Sequence, residues 1–133
     1  MDTLIIAKTD FTPLVTFDPA SNYFSISGVS RPENVSHFYN KINDWIAAYE
    51  IELFKLKDTP ASPKTLTFDF KFDYFNSASA KMLYIFLEKL SRIAEMGFNV
   101  TINWYSEEGD DKMKEDGQEL SESLDLPFVF IAI

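Results

Sequence analysis

Residues Thr65–Gly97 read TLTFDFKFDYFNSASAKMLYIFLEKLSRIAEMG, and the spacing of the apolar residues changes in the middle of this stretch. The first part alternates, as is typical of a β-strand with one buried face. The side chains predicted to face the core are Leu66, Phe68, Phe70, Phe72 and Tyr74. After Asn76 the apolar residues recur at helical spacing as far as Gly97, a residue type that favours a helix end. The apolar stripe comprises Met82, Leu83, Phe86, Leu87, Leu90, Ile93 and Ala94. The stretch therefore predicts a strand followed directly by an amphipathic helix.

A polar joint, Asn76-Ser-Ala-Ser79, connects these two elements. Backbone N–H groups are unpaired at a helix start and the helix dipole favours negative charge there, so a phosphate on a joint serine would be stabilised. Serine is also a preferred N-cap, and the physics of the residues alone favours capping over phosphorylation for Ser77 and Ser79. We expect Lys81 to be able to pair with a phosphate at the joint, and Asp73, near the strand end, to be able to approach Ser77.

The composition restricts the classes of function. The chain of 133 residues is 46% hydrophobic and carries a net charge of −9, with no cysteine. This length predicts one domain, residues 1–133, with a single core. The acidic balance argues against nucleic acid and anionic membranes as partners. The sequence lacks a signal segment and an apolar run of the roughly 20 residues that a membrane span needs, so we expect a cytoplasmic protein.

The remaining chain alternates strands and helices. We predict the order β-β-β-α-β-α-β-α-β, with strands at 3–8, 13–17, 23–28, 65–74, 98–105 and 126–133, helices at 33–53 and 77–97, and a polar helix within 106–125. The second and third strands are predicted to form a hairpin, and Gly28 to end the third. Ser30 and Glu33 have capping-box spacing ahead of the first helix. This order predicts an α/β fold with a mixed sheet and helices mainly on one face.

Catalytic and metal-binding interpretations receive little support. His37 is the single histidine and, with no cysteine available, it cannot anchor a familiar metal site or a Ser-His-Asp relay. Asp69 and Asp73 share a strand face, but residues four apart on a strand are separated by roughly 13 Å. A carboxylate-based hydrolase is therefore disfavoured. The acidic run from Glu107 to Asp116 lacks the spacing of a calcium loop and is better explained as a solvated face or as a surface for a basic partner.

Several segments together resemble the SiaC family of bacterial regulatory phosphoproteins, whose architecture is similar to STAS-type anti-sigma-factor antagonists. The matching segments lie in order over nearly the whole chain. They are Thr12-Pro13, Gly28–Asn34, Phe38-Tyr39, Trp45, Tyr49, Tyr74–Ser79, Lys81, Trp104-Tyr105, Asp110–Gly117 and Pro127-Phe128. The Pro-Glu-Asn and Tyr-Phe-Asn-Ser elements are the most specific of them. Ala78 departs from the pattern, since the family often has a hydroxyl residue there.

The resemblance implies a single-domain, STAS-like, non-enzymatic signalling protein without a cofactor. It implies that Ser77 is the phosphoacceptor, supported by Asn76, Ser79, Asp73 and Lys81. It also implies a partner kinase, a PP2C-type phosphatase, and an unphosphorylated form that binds and activates a diguanylate cyclase, with control of cyclic-di-GMP and biofilm formation. The alternative is an anti-sigma-factor antagonist that docks on an anti-sigma kinase.

Overall fold

A computed structural model describes residues 1–133 as one six-stranded sheet and three helices. The elements in chain order are β1 (Leu4–Ile6), β2 (Leu14–Asp18), β3 (Tyr23–Ser30), α1 (Val35–Leu56), β4 (Thr65–Phe75), α2 (Ser77–Glu95), β5 (Asn99–Ser106), α3 (Asp111–Leu124) and β6 (Phe128–Ala132). The predicted order of elements is confirmed, and every predicted segment corresponds to one observed element.

The strands lie side by side in chain order. The β1–β2 and β2–β3 pairs are antiparallel, whereas β3, β4, β5 and β6 run parallel to one another. Each parallel pair of neighbours is joined through one helix, and right-handed crossovers between successive neighbours put all such helices on the same face of a sheet. The mixed sheet with helices on one face, predicted from the sequence, is therefore confirmed.

The core lies between that face and the helices and is built largely of aromatic rings. Phe17, Phe24 and Phe68 sit in one register row across β2, β3 and β4. Trp45 of α1 contacts Phe17 and Phe24, and Phe86 of α2 contacts Phe17 and Phe68. The predicted stripe of α2 is buried against them, with Leu83, Phe86, Leu87, Leu90 and Ile93 all inaccessible to solvent. The opposite face of the sheet is polar on its central strands, where Asn103 of β5 donates to Asp69 of β4 at 2.9 Å.

The alternation of β4 breaks near its end, where the sequence-based prediction is wrong. Gly28 pairs with Phe72, but the next residue of β3 pairs with Tyr74, so Asp73 is an extra residue in β4. A bulge of this kind reverses the side-chain order beyond it. Tyr74 consequently points outward and is 48% exposed, while Phe75 turns inward and contacts Phe72 and Trp104. Gly28 does not end β3; its φ of +113° allows the irregular pairing, and the strand continues to Ser30.

The capping box predicted at Ser30 and Glu33 is also wrong. Ser30 is the last residue of β3 and is fully buried, so its side chain cannot cap α1. The N-cap is Asn34, whose Oδ1 accepts a hydrogen bond from the backbone N–H of His37 at 3.0 Å. The helix begins at Val35 because Asn34 has extended backbone angles and a side chain that satisfies the first turn. The side chain of His37 is exposed on the surface of α1.

None of the three helices combines the length and apolar character required to cross a bilayer. No three histidine, aspartate or glutamate side chains are grouped so that they could hold a metal ion.

Candidate functional site

Asn76, at the joint between β4 and α2, is the N-cap of α2, so the side chain of Ser77 is not needed for capping. Asn76 Oδ1 accepts from the backbone N–H of Ser79 at 2.8 Å, and the Asn76 N–H donates to the Ser30 carbonyl at 3.0 Å. Ser77 is the first residue of α2, and its side chain is exposed and makes no hydrogen bond within the chain. The capping interpretation that the sequence favoured for the serines therefore applies to Asn76 instead. An accessible hydroxyl remains at the positive end of a helix of 19 residues.

Ser79 differs from Ser77 because it is sealed in the interior. Its Oγ donates to the Ser30 carbonyl at 3.1 Å and accepts from the Ser30 hydroxyl at 2.8 Å. Since the Ser30 hydroxyl already donates to Ser79, the Tyr39 O–H must donate to Ser30 Oγ, 2.6 Å away. Ser30, Tyr39 and Ser79 are each fully buried. The network fixes the start of α2 to the end of β3 and to α1, and it keeps Ser79 away from any modifying enzyme.

Replacing Ser79 by alanine is expected to lower the free energy of unfolding by about 1–3 kcal/mol, because the buried Ser30 hydroxyl loses its acceptor. The matched change Ser77→Ala is expected to stay within about 0.5 kcal/mol of the parent, since Ser77 is exposed and unbonded. Urea unfolding at neutral pH measures both. Equal losses in the two variants would contradict the different placement of the two serines.

The same network makes the stability sensitive to alkali. Burial raises the pKa of Tyr39 to about 12 from its ordinary value of 10, although the hydrogen bonds with Ser30 and Ser79 oppose the rise. The folded state thus favours the neutral phenol. Its contribution is complete below pH 10 and is lost as the pH rises towards about 12. Tyr49, whose pKa burial also raises to about 12, adds a parallel loss.

Between about pH 10 and pH 12, the parent is therefore expected to lose stability more steeply than Tyr39→Phe, by up to about 1.4 kcal/mol per pH unit. The phenylalanine variant keeps Tyr49, so the difference between the two proteins isolates Tyr39. Urea unfolding at several alkaline pH values gives the two slopes. Identical slopes would show that the Tyr39 hydroxyl does not titrate with a raised pKa.

Ser77 lines a cavity of about 410 Å³ between the end of β4, the first turn of α2 and one face of α3. Its lining residues are Tyr74, Phe75, Asn76, Ser77, Ala80, Lys112, Asp116, Glu119, Leu120 and Ser123. Lys112 Nζ contacts the two oxygens of Asp116 at 3.0 and 3.2 Å. The hydrogen bond and the charge of Asp116 raise the pKa of Lys112 above its usual value. The cavity thus presents one cation and two carboxylates, those of Asp116 and Glu119, beside the serine.

Two residues expected to support the site line other surfaces. Asp73 lines a separate cavity of about 310 Å³, whose lining includes Lys71 and Tyr105. Lys81 lines a neighbouring depression together with Ala80, Tyr84 and Leu120. Asp69 lines neither of the cavities that Ser77 and Asp73 line. The carboxylates that a hydrolase would need are therefore not brought together.

Sequence reasoning missed Ser30, Tyr39 and Lys112 as residues of this region. Ser30 and Ser79 are 49 positions apart in the chain, and only the parallel pairing of β3 with β4 brings them into contact. Tyr39 follows the helical spacing of α1 and resembles any other core residue. Lys112 stands within the acidic segment of α3, and no local pattern connects it with Ser77.

The fold and the site together define a small α/β domain with an accessible serine at the start of α2. The chain belongs to the SiaC family of regulatory phosphoproteins, because the model of that family matches residues 6–133. The resemblance seen in the sequence is confirmed. The chain is accordingly a regulatory protein and not an enzyme.

Solved structures of SiaC from Pseudomonas aeruginosa are similar along their whole length. The crystal structure of apo-SiaC is 25% identical and superposes with a TM-score of 0.81, over 99% of this chain and 100% of that one. A chain in the crystal structure of the diguanylate cyclase SiaD in complex with its activator SiaC is also 25% identical, with a TM-score of 0.82 over 98% of this chain and 99% of that one. An uncharacterized protein of Pseudomonas aeruginosa is 26% identical over 99% of this chain and 98% of its own length. The α/β fold class is confirmed by these likenesses.

Proposed function

We propose that this chain is a cytoplasmic signalling switch. A partner kinase phosphorylates it on Ser77, and a PP2C-type phosphatase removes the phosphate. The observation that carries this proposal is the exposed, unbonded hydroxyl of Ser77 at the start of α2, in a member of a family of regulatory phosphoproteins. Ser79, the other serine of the joint, is fully buried and hydrogen-bonded. Enzymes can reach the first serine without unfolding the domain, whereas the second is closed to them.

Phosphorylation would change the local electrostatics strongly. A phosphate on serine adds about −1.5 to −2 charges at neutral pH. The first turn of α2 contains no acidic residue, so the unpaired N–H groups and the helix dipole would favour the new anion. On the other side, Asp116 and Glu119 line the same cavity and would repel it. The modification would therefore alter the surface formed by α2 and α3 without requiring a change in the core.

The partner is proposed to be a diguanylate cyclase, which the unphosphorylated chain binds and activates. The support is the similarity to SiaC, which is the activator of the diguanylate cyclase SiaD in the solved complex. The switch would then control cyclic-di-GMP and, through it, biofilm formation. Added negative charge at Ser77 would weaken the complex, because a surface that accepts a neutral serine must desolvate or repel a dianion.

Affinity purification from the native host tests the choice of partner. The unmodified chain and a chain with phosphoserine encoded at position 77 serve as two baits, and Ser77→Ala serves as a third that cannot be modified. The proposal expects a diguanylate cyclase with the first and third baits, and its depletion with the second. Recovery of an anti-sigma kinase in place of a cyclase would instead support the anti-sigma-factor antagonist, in which the site is the same but the partner differs.

A further inference from the structure

Lys112 is the one positive side chain on the cavity that Ser77 borders. Its ammonium group is bound to Asp116, four residues later in α3, and its side chain is 81% exposed. Such an ion pair is weak, since the ammonium group is solvated and Asp116 is itself partly accessible. Lysine also carries its charge on a flexible stem with three donors, so the group can turn to a new acceptor without movement of the helix.

We infer that Lys112 is the residue that pairs with the phosphate on Ser77. To form this pair, Lys112 breaks its ion pair with Asp116. The inference rests on the proposed phosphorylation of Ser77. The side chains of Ser77 and Lys112 line the same cavity. A phosphate offers three acceptor oxygens and up to two negative charges, whereas the carboxylate of Asp116 carries one negative charge. The stronger anion takes the exposed cation from the weaker one.

The transfer has a consequence for α3. Once Lys112 has moved, the carboxylates of Asp116 and Glu119 face the dianion without a cation of their own on this cavity. The helix is held to the core by Met113, by the close approach of Gly117 to Trp104, and by the partly buried Leu120 and Leu124. The repulsion therefore acts on side chains of α3 at the cavity, and the surface that α3 presents beside Ser77 changes with the modification.

Lys81 is the competing cation, because it lies four residues after Ser77 on α2, at a spacing where helix side chains meet. It lines a separate depression, however, whereas Lys112 borders the serine's own cavity from the facing helix. The remaining titratable groups on the cavity are Tyr74 from β4 and Asp116 and Glu119 from α3. Variants of these groups and of the two lysines distinguish pairing of the phosphate with Lys112 from pairing with Lys81.

The test is a phosphorus NMR titration of the full chain with phosphoserine encoded at position 77. Lys112→Gln is expected to raise the second pKa of the phosphate by about 0.2–0.7 pH units, because it removes a cation that stabilises the dianion. Asp116→Asn is expected to lower it, since the competitor of the phosphate is gone. Lys89→Gln, at a partly exposed position more than three turns further along α2, is the control and should leave the value unchanged.

A phosphate pKa unchanged in Lys112→Gln, or moved more by Lys81→Gln than by Lys112→Gln, would overturn the assignment. Lys112 is largely exposed, so its replacement should not impair folding. The phosphoserine is installed during translation, and the titration therefore does not depend on any kinase. Failure of a kinase to modify Ser77 would contradict the proposed function, whereas an unchanged titration would contradict only the role of Lys112.

Discussion

Phosphoserine at position 77 is expected to weaken binding of the proposed diguanylate cyclase partner at least about tenfold, which corresponds to about 1.4 kcal/mol. The reason is the combination of an exposed position, an added charge of about −1.5 to −2, and the carboxylates of Asp116 and Glu119 on the same cavity. Calorimetric titration of the purified partner with the modified and unmodified proteins measures the difference. Ser77→Ala is expected to bind like the parent, because it adds no charge and Ser77 makes no hydrogen bond within the chain.

A second phosphoserine protein controls for net charge. Ser62 lies in the loop before β4, at the opposite end of the strand from Ser77, so a phosphate there adds the same charge far from the joint. We expect nearly full affinity for this protein. Equal loss of affinity for phosphoserine at 62 and at 77 would show that the overall charge of an already acidic chain, and not the joint, governs the association.

Replacing Gly117 by alanine is expected to lower the free energy of unfolding by about 1–3 kcal/mol, although alanine favours helices over glycine by about 1 kcal/mol. A Cβ at this position would lie 2.5 Å from Cδ1 and 2.8 Å from Cε2 of Trp104. The indole cannot yield easily, since it is buried, stacks between Phe70 and Phe128, and donates through Nε1 to the Met113 carbonyl at 2.9 Å. Either α3 or the ring must move.

Urea unfolding of Gly117→Ala and of Gln118→Ala separates the steric overlap with Trp104 from the effect of helix propensity. Gln118 is the next residue of α3 and is exposed, so its replacement should stay within about 0.5 kcal/mol of the parent. The displaced α3 carries Lys112 and Asp116, and the glycine variant should therefore also change the cavity beside Ser77. A glycine variant as stable as the parent would mean that α3 does not rest on Trp104 as closely as the structure shows.

The order of the elements could be predicted because it depends on local patterns. The alternation of Leu66, Phe68 and Phe70 and the apolar stripe of α2 each follow from the period of one element, whatever its neighbours are. Tyr74 could not be placed in this way. Its direction depends on the extra residue Asp73, and a bulge is defined by pairing with another strand, here at Gly28.

In the candidate site, too, local features could be predicted and contacts between elements could not. The helix start at Asn76 and Ser77 was visible in the sequence, since capping involves residues within a single turn. The sequence did not reveal that Ser77 is exposed and Ser79 buried, because Ser79 is enclosed by Ser30 and Tyr39, which come from distant segments. Lys112 reaches the cavity only through the crossover that brings α3 beside α2. Contacts between elements therefore account for what the sequence left open.

Phosphorylation of the intact chain by the proposed kinase is the direct measure of whether Ser77 is the switch. The purified protein is incubated with the kinase from the same host and ATP, and the modified residue is located by fragment mass spectrometry. We expect a single phosphate, on Ser77, that is absent from Ser77→Ala and retained in a folded Ser79→Ala. A phosphate on another residue, undiminished in Ser77→Ala, would contradict it.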